Sequence, residues 1–338
     1  MNEMRITSVQ DVLHWEDEQS NVQMFTDLLS HLKGKTDLIV LPEMFNSGFS
    51  MRPEQFAQTI DGSTVRWMQQ LAQQLDCAIC GSLAIQESSS LATQEISSLA
   101  IQESSSLAAQ ESSSLAIQES SSLAIQEGGS LAIQESSSLA IQEGGSLATQ
   151  EISSLAIQES GSLAIQEGGG FVNKFIFVHP SGAIDQYNKR HCFRMSGEHE
   201  VYTPGVEKLI VDYRGWKILA QVCYDLRFPV FSRNENDYDL ALYVANWPQV
   251  RRAPWLTLLQ ARAIENLAYV IGVNRIGEDD NGVIYSGDSI VVDYRGDVIF
   301  DHKDTASIHT QVLNLQALND FRQKFPAWMD ADAFSLQV

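Results

Sequence analysis

Cysteine is scarce in this chain, with Cys77, Cys80, Cys192 and Cys223 as the only four among 338 residues. Four cysteines in a chain of this length do not form a disulfide framework. Cys77 and Cys80 have the CxxC spacing of many metal ligands, but no second CxxC and no His pair completes a set. Because both lie in an apolar run, we expect these two thiols to pack in the core.

Positive charge is also scarce, since 22 Lys and Arg stand against 43 Asp and Glu, for a net charge of −21. An acidic chain is repelled by the phosphates of nucleic acids and by anionic membrane surfaces, which argues against both as partners. Eleven of the negative charges are glutamates in residues 81–168, a segment without Lys, Arg or Asp, which leaves −10 for the rest. The body of the chain is therefore acidic but ordinary.

Long apolar segments are missing as well. No stretch approaches the ~20 apolar residues that a membrane-spanning helix needs. The N-terminal residues 1–6 lack both the basic segment and the apolar segment of a secretory signal peptide. These absences predict a soluble, cytoplasmic protein that does not bind a membrane.

Residues 81–168 consist of eleven tandem octapeptides, which begin with Gly81-Ser-Leu-Ala-Ile-Gln-Glu-Ser88. Removing ten copies, or 80 residues, leaves 258 residues, a usual size for one α/β domain. We therefore predict one domain in two parts, 1–80 and 169–338, with a tandem-repeat insertion at 81–168. Duplication of a single strand-and-turn unit accounts for such an insertion.

The octapeptide array has two possible structures. A period of eight residues turns an α-helix by 800°, so the apolar cluster drifts by ~80° per copy and no continuous helical stripe forms. The copies instead indicate Leu-Ala-Ile-Gln strands separated by Glu-Ser-Ser-Ser or Glu-Gly-Gly-Ser turns, which favours a β-solenoid. Each copy has only two sizeable apolar side chains and no aromatic residue, which favours disorder. Both structures remain open, and neither supplies catalytic groups.

Outside the array, apolar patterns indicate a mixed α/β layered domain. Helical spacing of apolar residues predicts helices at 20–32, 63–75, 255–266 and 315–324. Short apolar or alternating runs predict strands at 4–10, 37–41, 77–85, 171–178, 183–187, 209–211, 216–223, 238–245, 268–274, 289–293 and 298–300.

Three polar residues, Glu43, Lys189 and Cys223, each stand just after a predicted strand. Open α/β sheets bind ligands at the carboxyl ends of their strands, which predicts that these three face one cleft. Together they form an acyl-transfer set. A glutamate can take the thiol proton and later activate water, while the cysteine attacks a carbonyl. Lys189 and the backbone N–H of Tyr224 can stabilise the oxyanion that forms.

Each of these residues, taken alone, also has an ordinary structural interpretation. A lone strand cysteine is more often core packing than a nucleophile. A single glutamate is usually a solvated loop residue, and Lys189 beside Arg190 fits a charged surface. The catalytic interpretation therefore depends on the combination of the three residue types.

These three residues stand in three longer motifs, which are Leu41-Pro42-Glu43-Met44-Phe45, Tyr187-Asn188-Lys189-Arg190-His191 and Val222-Cys223-Tyr224-Asp225-Leu226-Arg227-Phe228-Pro229. Supporting segments are Asn246-Trp247-Pro248, Ala261–Asn266 and Gly287-Asp288-Ser289. With these motifs in this order, the chain resembles the nitrilase (carbon–nitrogen hydrolase) superfamily, and within it the bacterial omega-amidase branch.

This resemblance implies a four-layer αββα sandwich that dimerises and uses no metal or cofactor. It implies hydrolysis of the terminal amide of 2-oxoglutaramate or 2-oxosuccinamate through a thioester on Cys223. It implies a second glutamate that helps orient Lys189, which maps best to Glu198, with Glu200 as the less suitable choice. The substrate's distal carboxylate needs a cation, and a bidentate arginine is its natural partner. We rank Arg251 first, with Arg194 and Arg227 as further candidates by charge and Trp247 beside them.

Two other functions stay open from the sequence. The chain could be another carbon–nitrogen hydrolase, such as an aliphatic nitrilase or an N-carbamoyl hydrolase, which a substrate panel would separate. It could also be a repeat-borne binding or scaffold protein on an inactive enzyme body. Intact Glu43, Lys189 and Cys223 argue against the second, because an inactive body need not keep all three.

Overall fold

The computed structural model describes residues 2–87, 170–332 and 334, and between 88 and 169 it describes only the backbone of nine short strands. The chain divides into two compact units. The first, Met1–Ile85 with Phe171–Val338, is called the sandwich unit here; the second, Gln86–Gly170, is called the array unit. The first octapeptide belongs largely to the sandwich unit, because it completes a strand that ends at Gln86.

The described residues of the sandwich unit form fourteen strands and five α-helices. The strands are β1 (Glu3–Gln10), β2 (Leu38–Val40), β3 (Ala78–Gln86), β4 (Phe171–Val178), β5 (Ile184–Asn188), β6 (Ile210–Tyr213), β7 (Trp216–Val222), β8 (Leu240–Ala245), β9 (Tyr269–Asn274), β10 (Ile276–Glu278), β11 (Ile284–Ser286), β12 (Ile290–Val292), β13 (Val298–Asp301) and β14 (Ser307–Asn314). The helices are α1 (Glu18–Leu29), α2 (Ser63–Leu75), α3 (Glu198–Val201), α4 (Arg252–Asn266) and α5 (Leu315–Lys324).

Two six-stranded sheets make up most of the sandwich unit, in the orders β5-β4-β3-β2-β1-β14 and β6-β7-β8-β9-β12-β13. Strands β1, β2 and β3 are parallel neighbours in the first sheet, as are β7, β8 and β9 in the second. Parallel strands end at the same edge of a sheet. The chain therefore delivers Glu43 just after β2 and Cys223 just after β7 to strand ends.

The main hydrophobic core lies between the two sheets, where Ile6 and Phe175 of the first sheet join Leu219 and Val244 of the second. The outer face of the first sheet packs against α1 and α2 in a second core. Helix α4 packs on the second sheet through Trp255, Leu259 and Ala263. The resulting α/β/β/α layers confirm the predicted α/β sandwich with two sheets.

The predicted helices form because their apolar residues fall on one face, and side chains cap the N-termini of α1 and α5. In α2, Val65, Met68, Ala72 and Leu75 are buried at spacings of three and four residues. Helix α1 begins at Glu18 because Asp17 accepts a hydrogen bond from the Ser20 N–H at 3.0 Å. It ends at Leu29, three residues before the predicted end at 32.

The sequence did not predict β14, which pairs antiparallel with β1 from Glu3↔Asn314 to Gln10↔Ser307. Most of its side chains are half-buried, so the strand shows no clear apolar alternation. Cys77 and Cys80 are buried free thiols, in agreement with the predicted core packing. Among the residues that the structure describes, no helix has both the length and the apolar character needed to cross a membrane.

The array unit contains parallel strands whose partners lie sixteen residues apart, as in Leu115↔Leu131 and Leu123↔Leu139. Alternate octapeptides thus fall into two separate sheets of five and four strands. Its strands are Leu99–Ile101, Leu107–Ala109, Ser114–Ser120, Leu123–Ile125, Ser130–Ser136, Leu139–Ile141, Ser146–Ile152, Leu155–Ile157 and Ser162–Ile165.

Candidate active site

Cys223 lies directly after β7, at the start of a short 3-10 turn, Cys223–Arg227. Its φ of 44° is in the left-handed region, which is strained for a residue with a side chain and turns the chain sharply out of the strand. Asp225 holds this turn, because its carboxylate accepts the Val222 N–H at 3.0 Å. The amides at the start of such a turn have no partner within it, which leaves the Tyr224 N–H available beside the sulfur.

Glu43 is completely buried at the end of β2, so the solvated-loop interpretation of this residue is wrong. Its Oε1 accepts hydrogen bonds from Lys189 Nζ at 2.9 Å and from Asn173 Nδ2 at 2.8 Å. Its Oε2 accepts the Asn246 N–H at 2.7 Å. These charge-assisted donors offset the cost of burying the carboxylate and fix its direction.

Lys189 is also buried, at 1% exposure, which excludes the surface-charge interpretation. Its Nζ binds both oxygens of Glu198, at 2.8 and 2.9 Å, in addition to Glu43. Burial by itself lowers the pKa of Lys189, but the negative charges of Glu198 and Glu43 outweigh burial and hold the pKa well above its usual value. Lys189 is therefore a permanent cation shared by two carboxylates.

Burial raises the pKa of the Cys223 thiol well above its usual value, and the charge of Glu43 raises it further, while Lys189 opposes both. At neutral pH the resting sulfur is therefore protonated. A protonated thiol needs a base to take its proton as it attacks. Glu43 is the carboxylate placed for this, since it both interacts with the thiol and contacts Lys189.

A cavity of about 710 Å³ opens onto Cys223, Lys189 and Tyr224. Trp247 also lines it, and the guanidinium of Arg227 lies over this indole at 5.2 Å. Arg251 also lines the cavity and lies over Phe193 at 5.2 Å.

Two other arginines are less suited to bind a ligand in this cavity. Arg52 lines it, but Glu16 pairs with this side chain at 2.6 Å. Arg194, a candidate from the sequence, is exposed and is not among the residues that line the cavity. In the described part of the chain, no group of three or more His, Cys, Asp and Glu side chains is arranged to hold a metal ion.

Sequence reasoning missed two buried polar residues that join these parts. Asn173 in β4 contacts Glu43 and also Glu198, at 3.2 Å. Asp225 accepts hydrogen bonds from Tyr187, at 2.9 Å, and from His191, at 2.8 Å, and so links the cysteine turn to the segment that carries Lys189. The available sequence signal for Asn173 was an asparagine inside an apolar strand. Asp225 was visible only as part of the motif that contains Cys223.

The family model for carbon-nitrogen hydrolases matches residues 5–120 and 137–323. The chain belongs to the carbon–nitrogen hydrolase family. Among curated relatives, this hydrolase is 39% identical to omega-amidase YafV of Escherichia coli K12, over 98% of both chains. It is 35% identical to omega-amidase YafV of Yersinia enterocolitica, over 99% of this chain and all of the relative.

A solved structure shares the fold over the whole length of the hydrolase. XC1258 from Xanthomonas campestris, a CN-hydrolase superfamily protein with an arsenic adduct in its active site, has 33% identity and a TM-score of 0.74, with 100% of both chains covered. A nitrilase-superfamily protein of Saccharomyces cerevisiae has 18% identity and a TM-score of 0.65, over 96% of this chain and 95% of its own. The second likeness concerns the fold alone.

Proposed function

We propose that this hydrolase is an omega-amidase, which releases ammonia from the terminal amide of 2-oxoglutaramate and 2-oxosuccinamate. The proposal rests mainly on the buried Glu43–Lys189–Cys223 arrangement at the wall of a cavity that also carries Arg227 and Arg251. The first three groups suit acyl transfer, and the two guanidiniums suit a substrate with a carboxylate. Relatives that match nearly the whole chain are named omega-amidases.

In the proposed first half-reaction, Glu43 takes the proton of the Cys223 thiol as the sulfur attacks the amide carbon. The carbonyl oxygen becomes an oxyanion, which accepts hydrogen bonds from Lys189 and the Tyr224 N–H. The tetrahedral intermediate collapses, the carbon–nitrogen bond breaks, and Glu43 gives its proton to the leaving nitrogen. Ammonia departs and a thioester on Cys223 remains.

In the proposed second half-reaction, Glu43 takes a proton from a water molecule that attacks the thioester carbon. The same two donors hold the second oxyanion. The carbon–sulfur bond then breaks, the sulfur regains a proton from Glu43, and the carboxylic acid product leaves. Glu198 keeps Lys189 in place through both steps, since it binds the Nζ with both oxygens.

The function is tested by measuring ammonia release by the full-length chain over a panel of substrates. The panel contains 2-oxoglutaramate, 2-oxosuccinamate, glutamine, an aliphatic nitrile and an N-carbamoyl amino acid. We expect the highest kcat/KM for the two 2-oxo monoamides. A preference for the nitrile or the carbamoyl compound would assign the chain to another branch of the family, and inactivity on every member would favour a binding or scaffold role.

We propose that Arg251 and Arg227 bind the distal carboxylate and that Trp247 supports Arg227. Neither arginine has an ion pair with an acidic side chain described in the structure, whereas Arg52 is paired with Glu16. Each aromatic face holds its guanidinium without neutralising its charge. The charge thus remains available to a carboxylate in the cavity.

Substituting Met for Arg251 or for Arg227 should raise KM for 2-oxoglutaramate by about 10- to 100-fold, since a hydrogen bond to a charged group contributes ~1.5–3 kcal/mol. A neutral amide such as butyramide should show no comparable change. Arg66→Met, on the exposed face of α2, is the matched control. A KM increase confined to Arg194→Met would contradict the assignment.

We also propose that residues 81–168 are an insertion into one catalytic domain and that its copies stack as a β-solenoid with two octapeptides per turn. The sixteen-residue register in both array sheets supports such stacking. The ends of the array unit meet, because the Glu87 N–H donates to the Gly170 carbonyl at 3.0 Å. An insertion whose ends meet can lengthen without separating the strands β3 and β4.

Deleting residues 89–168 should therefore leave kcat/KM within about twofold of the full-length value, as expected for a surface insertion. The shortened chain keeps the first octapeptide, in which Gly81 packs so closely that a Cβ would lie 2.8 Å from Phe45. The matched control is Gly81→Val, which should destabilise either chain. Activity present only in the shortened chain would show that the array blocks the site.

We further propose that the enzyme is a cytoplasmic homodimer. The C-terminal region exposes Phe325, Met329 and Phe334, at 55%, 66% and 43%, and exposed apolar groups commonly mark an interface. A reducing compartment keeps Cys223 as a free thiol. Light scattering should give twice the chain mass, and a monomer would contradict the dimer.

Recovery from cells outside the cytoplasmic fraction would contradict the location.

A further inference from the structure

Asn173 lies at the centre of the buried network that joins the two carboxylates. It belongs to β4 and is 1% exposed. Its Nδ2 donates to Glu43 Oε1 at 2.8 Å and to Glu198 Oε1 at 3.2 Å. Lys189 Nζ donates to the same two oxygens, at 2.9 and 2.8 Å. One neutral amide and one cation therefore share the pair of carboxylates.

Ser82 fixes the direction of this amide. The Ser82 hydroxyl donates to Asn173 Oδ1 at 2.9 Å, so the Nδ2 group must point toward the carboxylates. The same hydroxyl accepts the N–H of Met44 at 3.0 Å. Met44 follows Glu43 directly and has a positive φ of 41°. The network thus connects the amide to the backbone that carries Glu43.

A second donor matters because Lys189 has two tasks in the proposed reaction. When the oxyanion forms, the Nζ of Lys189 must donate one of its hydrogen bonds to that oxygen. Glu43 and Glu198 then lose part of the positive charge that they share, while both remain buried. Two buried carboxylates without enough donors favour uptake of a proton. The amide of Asn173 is neutral and keeps both of its contacts throughout.

We propose that Asn173 is a positioning residue that keeps a neutral donor on both carboxylates and holds Glu43 aimed at Cys223, an inference that rests on the proposed amidase function. Asn173 acts through Glu43 and Glu198 and does not line the cavity. The titratable groups that face Glu43 are Lys189, Glu198, Cys223 and, more weakly, Cys192, Tyr202 and Tyr285.

The test is the pH dependence of kcat/KM for 2-oxoglutaramate in Asn173→Ala. Loss of a donor to a carboxylate favours its protonated form, so the acid limb should move to higher pH by about one unit. The limb reports the titration of the buried network as a whole and not of one residue. A side chain with a purely structural role would lower the amount of active enzyme without moving the limb.

A second readout separates this inference from the proposed function. The rate at which iodoacetamide alkylates Cys223 needs no substrate, and its acid limb should move in the same direction in Asn173→Ala. If the wild-type chain hydrolyses no amide but the alkylation limb moves, the proposed function fails and the positioning role stands. If amides are hydrolysed and neither limb moves, the positioning role is overturned.

Asn234→Ala is the matched control, since Asn234 is another buried asparagine, with hydrogen bonds to Tyr238 and Asn266. It should lower the melting temperature and leave both limbs in place. If Asn173→Ala does not fold, Asn173→Asp carries the test, because it keeps the volume and the acceptor for Ser82. A third carboxyl group should move the limbs upward at least as far, and unchanged limbs would overturn the proposal.

Discussion

Replacing Cys223 with alanine is expected to reduce ammonia release from 2-oxoglutaramate by at least about 1,000-fold, because loss of a catalytic nucleophile leaves only binding and oxyanion stabilisation. The sulfur lies at the wall of the cavity. Because the resting thiol is protonated, Glu43 must take its proton before the sulfur can attack. Steady-state ammonia release by wild type and variant, at matched protein concentration, measures the effect. Thermal unfolding of both proteins shows whether the variant keeps its fold.

Cys192→Ala is the control for this experiment. Cys192 is partly buried, does not line the cavity, and has its pKa raised to about 12 by burial and by Glu198. It should retain nearly all activity. Activity that survives Cys223→Ala but disappears in Cys192→Ala would identify Cys192 as the nucleophile and contradict the role of Cys223.

Substitution of Lys189 by methionine is expected to remove activity and to lower the free energy of unfolding by about 3–5 kcal/mol, the usual cost of removing one partner of a buried ion pair. The variant leaves Glu43 and Glu198 buried together without a cation. Urea denaturation measures the stability change, and ammonia release measures the activity. A variant as stable as wild type would contradict the shared-cation arrangement.

The pH dependence of this destabilisation has a definite sign. Burial raises the pKa of Glu198 above its unfolded value near ~4.3, and removing Lys189, whose charge opposes burial, raises it further. Such a group binds more protons when folded, so stability falls as pH rises above that range. Lys189→Met should therefore lose more stability at pH 8 than at pH 5. A loss of the same size at both pH values would indicate a packing defect instead.

A double variant separates stability from catalysis at the same site. Adding Glu198→Gln to Lys189→Met removes one of the two uncompensated charges and should restore part of the lost unfolding free energy. Activity should stay absent, because the oxyanion still lacks its cation. Glu265→Gln in place of Glu198→Gln is the control, since Glu265 pairs with Arg262 outside the site.

The sequence could predict that the three central residues meet because each follows a short predicted strand, which is apolar before Glu43 and Cys223. A buried strand that ends shortly before Glu43 or Cys223 places a reactive group where sheets bind ligands. The mixed α/β layered class and four helices followed from apolar spacing, whereas the αββα sandwich followed from the family resemblance. The edge strand β14 did not, because a half-buried strand lacks strong alternation and its pairing with β1 depends on residues some 300 positions away.

The contacts around the central residues could not be predicted from local patterns. Asn173 meets Glu43 across 130 positions of sequence, and the array separates them. Glu198 was assigned only by family resemblance, since a glutamate in a one-turn helix has no distinguishing pattern. Arg194, a candidate by charge, proves to lie outside the cavity lining, whereas Arg227 and Arg251 are brought to it by packing on aromatic rings.

The most direct test of the account is a search for the acyl-enzyme on Cys223. The full-length chain is mixed with 2-oxoglutaramate, quenched in acid during the first turnovers, and examined by intact-protein and peptide mass spectrometry. The account predicts a covalent adduct with the mass of the substrate minus ammonia, on the peptide that contains Cys223 and absent in Cys223→Ala. Release of one equivalent of ammonia with no adduct on Cys223, or with an adduct on another cysteine, would contradict it.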